Sequence, residues 1–166
     1  MVLTIWRHGT AEQGATDYMR ELTSAGCDDV GFGCSQFHQA CHRRDIPHIS
    51  TILHSPLVRT TQTAAIIASA FGSAKLQVEE ALQPASRLAD VEAVITRYDE
   101  ADSGQHLVLV SHQPLVSRIV DHYLGGSASV PPLPPGGITT LLLDVPAAAC
   151  ATLMFWAFPP EFEAGV

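Results

Sequence analysis

The chain has 166 residues, 46% of them hydrophobic, which suits one domain of ordinary size with a sizeable core. Its formal net charge of −8 argues against general nucleic-acid binding, which calls for a basic face. No apolar run reaches the ~18 residues of a membrane span, and the amino terminus enters a strand without a charged leader segment, so the expectation is a cytoplasmic protein with no signal peptide and no membrane contact.

Val2-Leu3-Thr4-Ile5-Trp6 is apolar and β-prone and runs straight into Arg7-His8-Gly9-Thr10. This pattern predicts a buried strand ending in a sharp turn. Residues 11–22 are polar and irregular and read as a loop over whatever lies at that turn. Thr23 is placed to cap a helix that runs to about Arg44, with Val30, Cys34, Phe37 and Cys41 on one side. Cys27, Cys34 and Cys41 are seven apart, a spacing that stays near one helical face, and they read as small apolar core residues. His38 and His42 stand at i and i+4, but no third ligand accompanies them, so they read as a solvated or half-buried face and no metal or other cofactor is expected.

Residues 45–48 break the helix, and Ile49 to His54 form the second predicted strand. Ser55 is a natural cap and Pro56 suits a first turn, so a helix is expected from about Leu57 to Gly72. Arg59 then sits at the positive end of that helix, a locally unfavourable place for a lone cation that makes sense if an anion binds there. Residues 76–79 suggest an edge strand and 82–86 a loop. Arg87 to Ala101 reads as a helix with a stripe of Leu88, Val91, Val94, Ile95 and Tyr98, closed by Asp102-Ser103-Gly104.

His106 to His112 is a strong strand that again ends in histidine, followed by a helix from about Pro114 to Leu124 stopped by Gly125-Gly126. Residues 127–137, rich in Pro, Ser and Gly, read as a surface loop. Residues 138–144 and 151–157 suggest an antiparallel hairpin, and the tail from Pro159 is expected to be mobile.

Alternating strands and helices predict an α/β fold, a three-layer α/β/α sandwich around a mostly parallel sheet. In such a sheet the carboxyl ends of the strands lie together, and Arg7, His8, Arg59 and His112 converge there. Two guanidinium groups can grip the equatorial oxygens of a phosphoryl group, and a second histidine can donate to another oxygen. A histidine nucleophile must be neutral at its attacking nitrogen, with the other nitrogen held by an acceptor such as a backbone carbonyl.

Three stretches carry a family resemblance. They are Arg7-His8-Gly9 after an amino-terminal strand, Ser55-Pro56-Leu57-Val58-Arg59-Thr60-Thr61-Gln62-Thr63-Ala64, and Val110-Ser111-His112-Gln113-Pro114-Leu115-Val116. In this order the chain resembles the histidine phosphatase superfamily, whose fold is phosphoglycerate mutase-like. Its small size and the run from Arg20 to Asp28 resemble the SixA-type phosphohistidine phosphatases within it. The resemblance implies that His8 is the phosphorylated nucleophile, Arg7 and Arg59 bind phosphate, and His112 is the second catalytic histidine. Arg20 is a candidate substrate contact, and no metal is implied.

One departure narrows the substrate. Sugar-phosphate members of the superfamily carry a glutamate acid after the third strand, and Ala81-Leu82-Gln83-Pro84-Ala85 has none. An alcohol leaving group needs a proton, whereas a protonated imidazole leaves with less help. The expected activity is therefore removal of phosphate from a phosphohistidine-containing signalling protein, such as the phosphotransfer domain of a phosphorelay, by a monomeric enzyme. The alternatives are a phosphatase of small phosphate esters and a non-catalytic phosphoprotein-binding module.

Overall fold

The computed structural model describes residues 1–102 and 104–165, so Ser103, expected in the turn after the third helix, lies outside the described residues. In chain order the elements are β1 (Val2–Arg7), α1 (Ser24–Arg43), β2 (Thr51–His54), α2 (Val58–Ala70), β3 (Lys75–Val78), α3 (Leu88–Ala101), β4 (His106–Ser111), α4 (Leu115–Leu124), β5 (Ile138–Leu143) and β6 (Ala151–Ala157). A short 3₁₀ turn spans Glu80–Leu82. The strands form one sheet in the order β3-β2-β4-β1-β5-β6. β3, β2, β4 and β1 are parallel, while β5 and β6 are added antiparallel. The fold is α/β, as the alternation predicted.

β1 and β4 are the centre of the sheet, and both are apolar on both faces because helices cover both. Leu3, Ile5, Leu107 and Leu109 point to the face packed by α3 and α4. Val2, Trp6, Val108 and Val110 point to the face packed by α1 and α2. The period of two along each strand thus divides one hydrophobic run between two cores. Each buried Leu or Ile contributes roughly 1.5–3 kcal/mol.

One polar set is built into the second core. His106 Nδ1 donates to the Pro47 carbonyl at 2.9 Å, its Nε2 faces Thr4 Oγ1 at 2.9 Å, and Thr140 Oγ1 lies 2.9 Å from Thr4 Oγ1. These three side chains lie on adjacent strands and satisfy one another.

Thr23 caps α1 as expected, its hydroxyl accepting from Gly26 N at 2.9 Å. Three expectations need correction. Ser55 does not cap α2: the cap is Leu57, without a side-chain bond, and the Ser55 hydroxyl is used elsewhere. The 127–137 segment is not merely a surface loop, because Leu133 is buried and the Gly136 and Gly137 backbones bond to Arg7 and His8. The tail is held in place: Phe162 is buried in the second core and Gly165 pairs with Trp156. Of the cysteines only Cys34 is fully buried, and all four are free thiols. His38 and His42 are exposed on α1. Among the described residues no helix is long and apolar enough to cross a membrane.

Candidate active site

The parallel register of β1 and β4 sets Arg7 opposite Ser111. One residue further on, His8 and His112 leave the two strands side by side, with ring centroids 5.1 Å apart. The turn at His8 is tight. A Cβ on Gly9 would stand 2.9 Å from both Gly26 O and Val30 Cγ2, so only glycine lets β1 run this close to α1.

His8 is buried, and its Nδ1 lies 2.7 Å from Gly9 O. A carbonyl only accepts, so Nδ1 carries the proton and Nε2 keeps its lone pair. That lone pair faces Arg59 Nε–H at 3.3 Å. Burial pulls the His8 pKa down to about 4, against the opposing pull of the Gly9 carbonyl, and the nearby Arg59, Arg7 and Arg20 charges lower it further. The ring is neutral at neutral pH.

His112 is held from the other side. Its Nε2 lies 2.9 Å from Ser55 Oγ, and its Nδ1 is buried without a protein partner. Burial, then repulsion by His8 once that ring is protonated and by Arg59, lower its pKa to about 3. A neutral His112 accepting from the serine hydroxyl carries its proton on Nδ1, ready to donate to an acceptor in the pocket.

The arginines complete the floor. Arg7 Nη1 donates to Leu133 O at 2.8 Å, and its buried Nε has no protein partner. Burial lowers the Arg7 pKa. Arg59 is buried and donates through Nη1 to Asp17 O at 2.6 Å and through Nη2 to Asp17 Oδ2 at 3.1 Å. Arg7, His8, Arg59 and His112 line one cavity of about 400 Å³, together with Gln113, the partly exposed Arg20 and the exposed Asp17. Every site residue expected from the sequence, Arg20 included, therefore lines this one pocket. Two buried donors without protein acceptors, among two guanidinium groups, suit an oxyanion such as phosphate. Among the described residues no three His, Cys, Asp or Glu side chains come together as a metal site.

Glu79 and Glu80 are turned to other work. Glu79 caps Ala81 N and pairs with Arg97, and Glu80 accepts from Gln83. Neither lines the pocket.

Four supporting residues were not singled out as functional in the sequence: Asp17, Ser55, Gln62 and Thr63. Thr63 Oγ1 accepts from Gly9 N at 3.1 Å, and Gln62 Oε1 accepts from Leu22 N at 2.7 Å. Thr63 also donates to Arg59 O at 2.8 Å, so α2 braces both the His8 turn and the loop above it. Gln62 and Thr63 stand three and four residues after Arg59 on one helix, spacings that put each on the Arg59 face. Asp17, in an irregular loop, left no such signal.

The family model described as histidine phosphatase superfamily (branch 1) matches residues 3–87. An uncharacterised protein of Picosynechococcus sp. is 36% identical over 118 residues, which are 69% of this chain and 67% of that protein. The solved structure of the protein histidine phosphatase SixA complexed with tungstate superimposes with a TM-score of 0.81 at 24% identity, covering 96% of this chain and 97% of that one. A phosphoglycerate mutase from Plasmodium falciparum has the same fold, with a TM-score of 0.63 at 20% identity over 92% of this chain and 87% of its own.

Proposed function

This chain belongs to the histidine phosphatase superfamily (branch 1), and we propose that within this group of phosphatases it acts on phosphohistidine in a protein, with His8 as nucleophile. The observation that carries this reading is the His8 ring. Its Nδ1–H is tied to Gly9 O at 2.7 Å, so the Nε2 lone pair faces a pocket with two guanidinium groups and a second imidazole.

The reaction is two in-line transfers. Nε2 of His8 attacks phosphorus while the bond to the substrate's ring nitrogen breaks. Arg7 and Arg59 grip the equatorial oxygens, where charge accumulates. His112 donates from Nδ1 to a third oxygen. Water then attacks the phosphoryl group on His8, the P–N bond electrons return to Nε2, and inorganic phosphate leaves. Transfer from one imidazole to another is nearly isoenergetic, so positioning supplies most of what the first step needs. The absence of a carboxyl group in the 81–85 stretch supports a leaving group that needs no proton donor.

The physiological substrate in this reading is a histidine phosphotransfer domain of a cytoplasmic phosphorelay, met by a monomeric enzyme. The test is phosphate release from such a phosphorylated domain, run beside p-nitrophenyl phosphate and sugar phosphates. Rapid release from the protein, with an acid-labile phosphoryl group trapped on His8, is the expected result. Turnover of the small esters alone would sink the reading.

A further inference from the structure

Asp17 is the one carboxylate among the residues that line the pocket. Its Oδ2 accepts from Arg59 Nη2 at 3.1 Å and its Oδ1 from Arg20 Nη1 at 3.3 Å. The Asp17 side chain is 62% exposed, whereas His8, Arg59 and His112 are buried. The groups suited to a phosphoryl group therefore form the floor, and the carboxylate stands at the mouth. A phosphoryl group attacked from the floor by His8 Nε2 expels its leaving group on the far side, toward that mouth. Asp17 faces the leaving group's side of the reaction.

Resting on the reading of the chain as a phosphohistidine phosphatase, we propose that Asp17 determines specificity for the leaving group. Its carboxylate accepts a hydrogen bond from the distal ring N–H of the substrate's phosphohistidine and holds that ring as an imidazolium.

The step balances without a proton donor. The Nε2 lone pair of His8 forms the new P–N bond, and the old P–N pair returns to the substrate ring. That ring leaves as neutral imidazole with its distal proton still in place, and His8 becomes the phosphorylated imidazolium with Nδ1–H on Gly9 O. Some desolvation pushes the Asp17 carboxyl up, but its bonds and charge contacts with Arg59 and Arg20 outweigh this and hold it below the usual carboxylate range. It is thus an anion, able to favour a cation beside it and unable to protonate an alkoxide. Without it, Arg7, Arg20 and Arg59 would leave the mouth strongly cationic and drive the substrate ring toward its neutral, poorly leaving form.

The experiment compares wild type, Asp17→Asn and Asp17→Glu on phosphoimidazole and on p-nitrophenyl phosphate, whose leaving group needs no such cation. The expected result is a fall of about tenfold in the ratio of kcat/KM values for Asp17→Asn, corresponding to about one pH unit of lost ring stabilisation. The alkaline limb of the phosphoimidazole profile moves down by about the same amount, and Asp17→Glu restores part of both. Equal losses on the two substrates with an unmoved limb overturn the proposal, since Asp17 would then act only by holding Arg59. Unchanged kinetics overturn it as well. A wild-type protein that turns over neither phosphoimidazole nor a phosphorylated histidine domain overturns the parent reading, a result distinct from both.

Discussion

Ser55 Oγ stands 2.9 Å from His112 Nε2, and both side chains are buried. The serine comes from the β2–α2 turn and the histidine from the end of β4, 57 residues apart in sequence. With Ser55 donating, His112 is held in the Nδ1–H tautomer. Ser55→Ala removes this lock and lets the ring divide between tautomers. Loss of one buried hydrogen bond costs about 1–3 kcal/mol, and a tenfold or larger fall in kcat is expected with the fold retained. Nitrogen NMR of His112 should show mixed tautomers in the variant; a single Nδ1–H form with normal kcat would refute the assignment.

His8 should remain a competent nucleophile well into acid. Its pKa of about 4 lies below the ordinary 6.5, so the ring stays neutral between these values, where a free imidazole would be protonated. The acid limb of kcat/KM, corrected for the substrate's own ionisation, should therefore fall near pH 4. A limb near 6.5 would show that the site does not suppress protonation of His8. His8→Ala should abolish both turnover and the acid-labile phosphoryl intermediate.

Arg59→Lys should be far from conservative. Arg59 uses three nitrogens, on His8 Nε2, Asp17 O and Asp17 Oδ2, and a lysine ammonium cannot reproduce that planar fork. A loss of at least about a hundredfold in kcat/KM is expected, with weakened inhibition by inorganic phosphate. Thermal melting should move little by comparison, which separates a damaged site from a damaged fold.

Stability should fall as pH drops from about 6.5 toward 4. Burial holds His8 and His106 at pKa values of about 4 and His112 at about 3, against 6.5 for an ordinary imidazole. Over that window the unfolded chain binds more protons than the folded one, so protonation favours unfolding. When the effect is complete, His8 and His106 contribute about 3 kcal/mol each and His112 about 5. His106 is remote from the site, and both its ring nitrogens have partners at Pro47 and Thr4. His106→Gln should flatten the acid dependence of urea midpoints, and an unchanged slope would remove His106 from the account.

Gly9→Ala should disturb the His8 turn through sterics alone. The added Cβ meets Gly26 O and Val30 Cγ2 at 2.9 Å. Overpacking of this kind costs about 1–3 kcal/mol, and the shift should lengthen the Gly9 carbonyl contact that orients His8. The check is a lower urea midpoint together with a lower kcat.

Local pattern carried much of this protein. The apolar runs of β1 and β4, the Thr23 cap and the α3 stripe are short-range signals, since strand and helix periods are written in neighbouring residues. Parallel βα alternation then placed Arg7, His8, Arg59 and His112 at one end of the sheet, because it forces strand carboxyl ends together. Contacts across the chain had no such periodic trace. Ser55 looked like a cap because serine before a helix usually is one, and only the approach of β4 turned its hydroxyl to His112. Asp17 looked like any loop acid until the fold laid it on Arg59, 42 residues away. Residues 133–137 and Phe162 looked like surface because Pro, Gly and chain ends are punctuation locally; the tertiary packing made them the wall behind Arg7 and part of the second core. Periodic burial was set by the sequence within each element, while the partner of each polar side chain was decided by which distant element came to face it.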